Sequence, residues 1–223
     1  MTDGRFVFTR SLPGGGRIDG GFGNASLAGS GQLVIMDWMT HALMMGMGYQ
    51  VRAGTITTPL VGDVAITDTA AELCVDALSG YTIIPMTMNV SIRLGTGTLH
   101  EYAVKSVDVV SSAGTAFVPL PLRTKNPTTG GTATAAVTTA RVQAAGAVTV
   151  TAELATTTRR HWSWANPVAV GAGNDDSIPA WEPLRPPFLD GAVCLYAQIA
   201  ATTTGPSYYA NLDYLEAPTA NIR

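Results

Sequence analysis

The sequence predicts an all-β protein, a sandwich of about eight strands preceded by a Gly-rich extended arm and one short helix. Three observations predict it. Segments rich in β-branched residues, several alternating apolar with polar side chains, recur from Tyr49 to Leu215. Turn signals such as Ser79-Gly80, Gly95-Thr96-Gly97 and Thr204-Gly205-Pro206 separate them at spacings typical of sandwiches. The regular strand–helix alternation of a doubly wound fold does not occur. With 223 residues and 46% apolar side chains, the chain can bury one sizeable core. The expected organisation is an arm over residues 1–32 and a single sandwich domain over 33–223.

The elements follow in order. Residues 1–32 hold Pro13-Gly14-Gly15-Gly16, Gly20-Gly21-Phe22-Gly23 and Gly29-Ser30-Gly31, with Phe6 and Phe8 near the start. Glycine permits close backbone approach but raises the entropy cost of ordering, so this head reads as an arm that orders on a partner. Residues 33–48 carry five of the eight methionines, and their Leu, Met and Ala content predicts a short helix with Asp37 as a cap. Methionine repacks against irregular partners, which also suits a contact surface. Strands are expected at 49–58, 71–78, 81–94, 99–110, 135–143, 148–158, 191–201 and 207–215. Met86, Met88, Val90, Ile92 and Leu94 set a period of two, and Pro85 marks a strand end, an edge or a bulge. Prolines and glycines make 119–134 and 165–190 loops.

Composition excludes several functions. Charged residues are 13% of the chain, against a usual ~25%, and Lys105 and Lys125 are the only lysines. A surface this poor in charge suits a protein covered by neighbours. The net charge of -3 argues against nucleic acid as a partner. No apolar run approaches the ~18–20 residues of a membrane span, and the first residues do not resemble a signal peptide. Cys74 and Cys194 read as buried thiols, with a single bridge between them left open.

Catalytic patterns are sparse. His41, His100 and His161 fall in separate contexts and match no metal-ligand spacing. Asp175-Asp176 suits either calcium or turn formation. No nucleophile elbow surrounds Ser30, and the glycines do not lead to a phosphate loop. No enzyme activity, cofactor or metal is therefore expected. Arg159-Arg160-His161-Trp162-Ser163-Trp164 is the densest cationic and aromatic cluster, suited to a subunit contact, to intrachain packing or to a ligand.

Three internal stretches and the C-terminal segment carry a resemblance. Ile66-Thr67-Asp68-Thr69-Ala70-Ala71-Glu72-Leu73-Cys74-Val75-Asp76, Gly80-Tyr81-Thr82-Ile83-Ile84-Pro85, Ser111-Ser112-Ala113-Gly114-Thr115-Ala116-Phe117-Val118-Pro119-Leu120 and Thr203–Glu216 resemble virion structural proteins of tailed bacteriophages. The resemblance spans roughly residues 50–216 and carries no catalytic motif. It implies a jelly-roll-like sandwich, commonly trimeric, fixed to the capsid exterior as a cement or decoration protein. The partners would be the major capsid protein and the chain's own copies. The contact residues expected are Phe6, Phe8, Phe22, Met36, Trp38, Met39, Met44, Met45, Arg159, Arg160, Trp162 and Trp164. The alternative is a tail-associated adsorption protein that binds a host glycan.

Overall fold

The structure, a computed structural model, describes residues 38–55, 57–94, 99–126, 129–143, 148–166 and 180–222. Phe6, Phe8, Phe22, Met36, Asp37, the Gly-rich head and Asp175-Asp176 lie outside these residues. The chain opens with α1 (Trp38–Met44), β1 (Gly48–Ala53), β2 (Leu60–Val61), β3 (Ala70–Ala71), β4 (Leu73–Ala77), β5 (Tyr81–Leu94) and β6 (His100–Val107). A long excursion then carries β7 (Ser112–Ala113), β8 (Thr115–Phe117), β9 (Leu120–Pro121), β10 (Thr139–Val142) and β11 (Val148–Thr149). It closes with β12 (Thr158–Asn166), β13 (Leu189–Asp190), β14 (Val193–Ala201), β15 (Ser207–Pro218) and a terminal 3-10 turn.

The strands build two large antiparallel sheets. The first runs β13-β5-β15-β1-β9, with β2 also on β15, and the second runs β12-β6-β14-β4-β10-β8. Without the short additions, four strands remain in each, β13-β5-β15-β1 and β12-β6-β14-β4. The chain visits them alternately, except that β6 and β12 are consecutive in one sheet. This is the winding of a jelly roll, two Greek keys folded face to face. The jelly-roll-like sandwich expected of the sequence is therefore observed, with its short helix. The segment between β6 and β12 is an insertion that adds strands to the same edge of both sheets.

The core lies between the sheets. Val51, Ile83, Met88, Leu212 and Tyr214 of the first face Leu73, Val75, Val104, Leu195 and Ile199 of the second. A small third sheet, β3-β11-β7, lies outside the second and packs its Ala71 and Val148 onto Cys74, Val107, Cys194 and Tyr196. This cover explains why every residue of β4 and β14 is buried. A strand buried on both faces reads as a continuous apolar run.

Two expectations need correction. Residues 159–166 were not expected to form a strand, yet β12 pairs with β6 from Thr158 to Asn166. Conversely, the strand expected over 148–158 stops at Thr149, where pairing to β3 and β7 ends, and Leu154–Thr158 make a turn closed by Thr158 N–H to Leu154 O at 2.8 Å. Pro85 sits at a register irregularity between β5 and β15, beyond the reach of β13, which pairs only with Thr82 and Ile83. Its missing N–H thus costs the sheet little. Among the described residues no helix is long and apolar enough to cross a membrane.

Candidate interaction surface

Helix α1 lies across the outer face of the first sheet. Ala42 is buried against Ile84 and Leu215, and Met39, Leu43 and Met47 pack beside it. The helix ends where Gly46 takes φ +77, with Met47 N–H to Ala42 O at 3.1 Å and Gly46 N–H to Leu43 O at 3.0 Å. That is a Schellman ending, and the left-handed φ explains the glycine. Seven helical residues can bury only one stripe, so the remaining side chains face outward. Met44 is 51% exposed and Met45 is likewise exposed, while Trp38 stacks on Phe188 with centroids 6.3 Å apart. Of the five contact residues expected around α1, Met36 lies outside the described residues, Met44 and Met45 are open, Trp38 is partly open and Met39 turns inward.

The apolar surface continues beyond the helix. Leu122 donates its N–H to Gly48 O at 2.9 Å, which holds it beside α1. Thr40, Leu43, Met44, Leu122 and Arg123 line a depression of about 440 Å³. Leu120 and Val118 (60% exposed) extend the strip along the sandwich edge into a second groove of about 380 Å³. Contiguous exposed apolar side chains of this kind mark interaction sites. Local composition marks the methionines but not Val118, Leu120 and Leu122, which lie in or beside a Pro-rich stretch that predicts a loop.

The Arg159–Trp164 cluster is divided between the faces of β12. Trp162 and Trp164 pack against the core, Trp164 over Tyr102 at 5.1 Å between centroids. A bulge between Arg160 and Trp162 turns His161 inward, where Nε2 lies 2.8 Å from Ser106 Oγ and the ring stacks on Trp181. Burial lowers the His161 pKa, helped by the Arg159 charge. The arginines face outward and are paired. Arg159 meets both oxygens of Asp108 at 2.5 and 3.2 Å, and Arg160 reaches Glu153 at 3.4 Å. Glu153 also accepts from buried Lys105 at 2.6 Å, which holds the carboxyl below its ordinary pKa. Beside this network, Glu101, Lys105, Arg160 and Ser163 line a polar groove of about 370 Å³.

The titratable groups elsewhere are mostly structural. His100 is fully buried beside Tyr102 Oη at 3.2 Å, far along the chain from His41 on α1. Cys74, Asp76 and Cys194 bring one donor atom each within 4.8 Å of one another under the third sheet. Asp76 is already satisfied there, accepting from Ser111 N–H at 2.8 Å and Ser111 Oγ at 2.7 Å, with Arg141 Nε at 3.6 Å. Both cysteines are free thiols, and burial pushes the Cys194 thiol well up. No family model, curated protein or solved structure matches the chain.

Proposed function

We propose that the protein is a non-enzymatic structural component of a tailed-phage virion, a cement protein on the capsid exterior. The observation that carries this reading is the apolar strip from Trp38 through Met44 and Leu122 to Val118, set on a rigid jelly roll. A sandwich oligomer, a trimer of this chain, would lay such strips on several copies of the major capsid protein at once. Multivalent attachment makes modest contacts tight through effective concentration. Binding only the assembled shell stabilises that state by mass action.

The test is light scattering on the purified chain, then co-sedimentation with shells. A trimer that pellets in a fixed, high ratio supports the reading. Met44→Glu with Leu122→Glu should then weaken binding at least tenfold without changing the melting temperature. A monomer that leaves shells in the pellet alone sinks it. The polar groove beside Arg160 favours a second reading, a tail protein that binds a host glycan. In that case a few copies sit at the tail, and Arg160→Ala abolishes glycan binding while shell attachment is absent.

A further inference from the structure

The first sheet ends with an open edge. β9 pairs with β1 only at Tyr49 and Gln50, so among the described residues no strand continues the sheet past Arg52. The β1 groups facing β9 alternate along the strand. Gly48 O accepts from Leu122 N–H, and Gln50 lies opposite Leu120. By the same period of two, the N–H and C=O of Arg52 point out of the sheet. Directly below, the second sheet also ends, at β8. The apolar groove of about 380 Å³ fills the gap, with Arg52 at its rim and Leu60, Phe117, Val118, Leu120 and Val142 along its walls. Leu60, Phe117 and Val142 pack on the main core from this side. An open backbone edge over an apolar trough is the arrangement that accepts an added strand.

The geometry points to this chain's own residues Arg5–Thr9 as that strand, laid along the β1 edge with Phe6 and Phe8 in the groove. Arg5-Phe6-Val7-Phe8-Thr9 places an aromatic ring at every second position. In extended form both rings fall on one face, about 7 Å apart, and aromatic and β-branched residues favour strands. The other apolar run ahead of α1, Leu33–Met36, cannot reach. Trp38 stacks on Phe188 beside β13, at the opposite edge of the sheet. The groove lies four strand spacings away, roughly 19 Å. Even Leu33, five residues ahead of Trp38, reaches only about 17 Å when fully extended. Thirty residue steps separate Phe8 from Trp38 and span up to about 100 Å, enough for the chain's own groove or a neighbouring copy's. A strand seated here covers Val118 and Leu120 and leaves the Met44–Leu122 end of the apolar strip for a partner.

The test uses the full chain. Phe8→Cys with Val118→Cys should cross-link under mild oxidation at least tenfold more than Phe8→Cys with Leu154→Cys, whose second site is exposed beside β12. A cross-linked monomer places the strand in its own groove and a cross-linked oligomer places it in a neighbour's. Either upholds the inference. The Arg52 amide should also exchange with deuterium at least tenfold faster in Phe6→Ser/Phe8→Ser than in the parent, while circular dichroism shows the sandwich still folded. Cross-linking no greater than the control overturns the inference. So does Arg52 protection that survives the double serine change, since another occupant would then fill the groove.

Discussion

Glu72 is 2% exposed, and its carboxylate accepts the Ile199 N–H at 2.8 Å. Burial dominates over that hydrogen bond and raises its pKa to about 8. Folding therefore favours the protonated acid. Its contribution is fully present below the ordinary value of 4.5 and is lost as pH rises through about 8. Between those values the parent should lose up to about 1.4 kcal/mol per pH unit from this group. Glu72→Gln should flatten the difference in urea midpoint across that range, and equal slopes in the two proteins would refute the assignment. The thiols give a simpler check. Cys74 and Cys194 are both fully buried, so neither should react with a thiol reagent in the native protein and both should react in denaturant. At the turn between β14 and β15, a Cβ on Gly205 would overlap the Gly62 carbonyl oxygen. Gly205→Ala should cost about 2 kcal/mol, or roughly 4–8 °C in melting temperature.

At the scale of elements, buried carboxylates fasten the β6–β12 insertion to the jelly roll. Asp76 on β4 holds Ser111, and Glu216 on β15 accepts from Val137 N–H, Thr138 N–H and Thr138 Oγ at 2.8, 2.9 and 2.6 Å. Removing the acceptor strands buried donors, each costing about 1–3 kcal/mol. Glu216→Ala should therefore destabilise by several kcal/mol, with hydrogen exchange rising first around 137–142. Little of this was legible beforehand. The period of two announces β5 because Met88, Val90 and Ile92 meet the core while Asn89, Ser91 and Arg93 are exposed; Met86, of the same series, packs instead under α1 on the outer face. Strand β12 was hidden because Arg159, Arg160 and two tryptophans look like a surface cluster. The bulge at His161 and the pairing partner Val107–His100 that divide them between faces are set by distant sequence. The contact surface was half legible for the same reason. A methionine-rich helix shows in local composition, whereas Leu122 and Val118 join it only through pairing to β1.

At the scale of the whole molecule, the winding fixes what can be removed. β15 lies between β5 and β1 in the centre of the first sheet, and its partners come from the first half of the chain. Ending the chain before Ser207 should therefore leave no soluble folded protein. Deleting residues 1–31 should leave the sandwich folded, as judged by circular dichroism, with only the contribution of the docked strand lost from the melting temperature. Pairing of strands so far apart in sequence also predicts folding in milliseconds to seconds, the range of sandwiches rich in distant contacts. Ile222 packs in the same cluster as α1, beside Leu215 and Ile84. A fluorescent tag or purification handle fused after it would emerge on the helix face and shade Met44 and Met45 from any partner. The surface turn at Gly131, where an added side chain would meet only Thr129 Oγ1 at 3.4 Å, is the better place for a reporter.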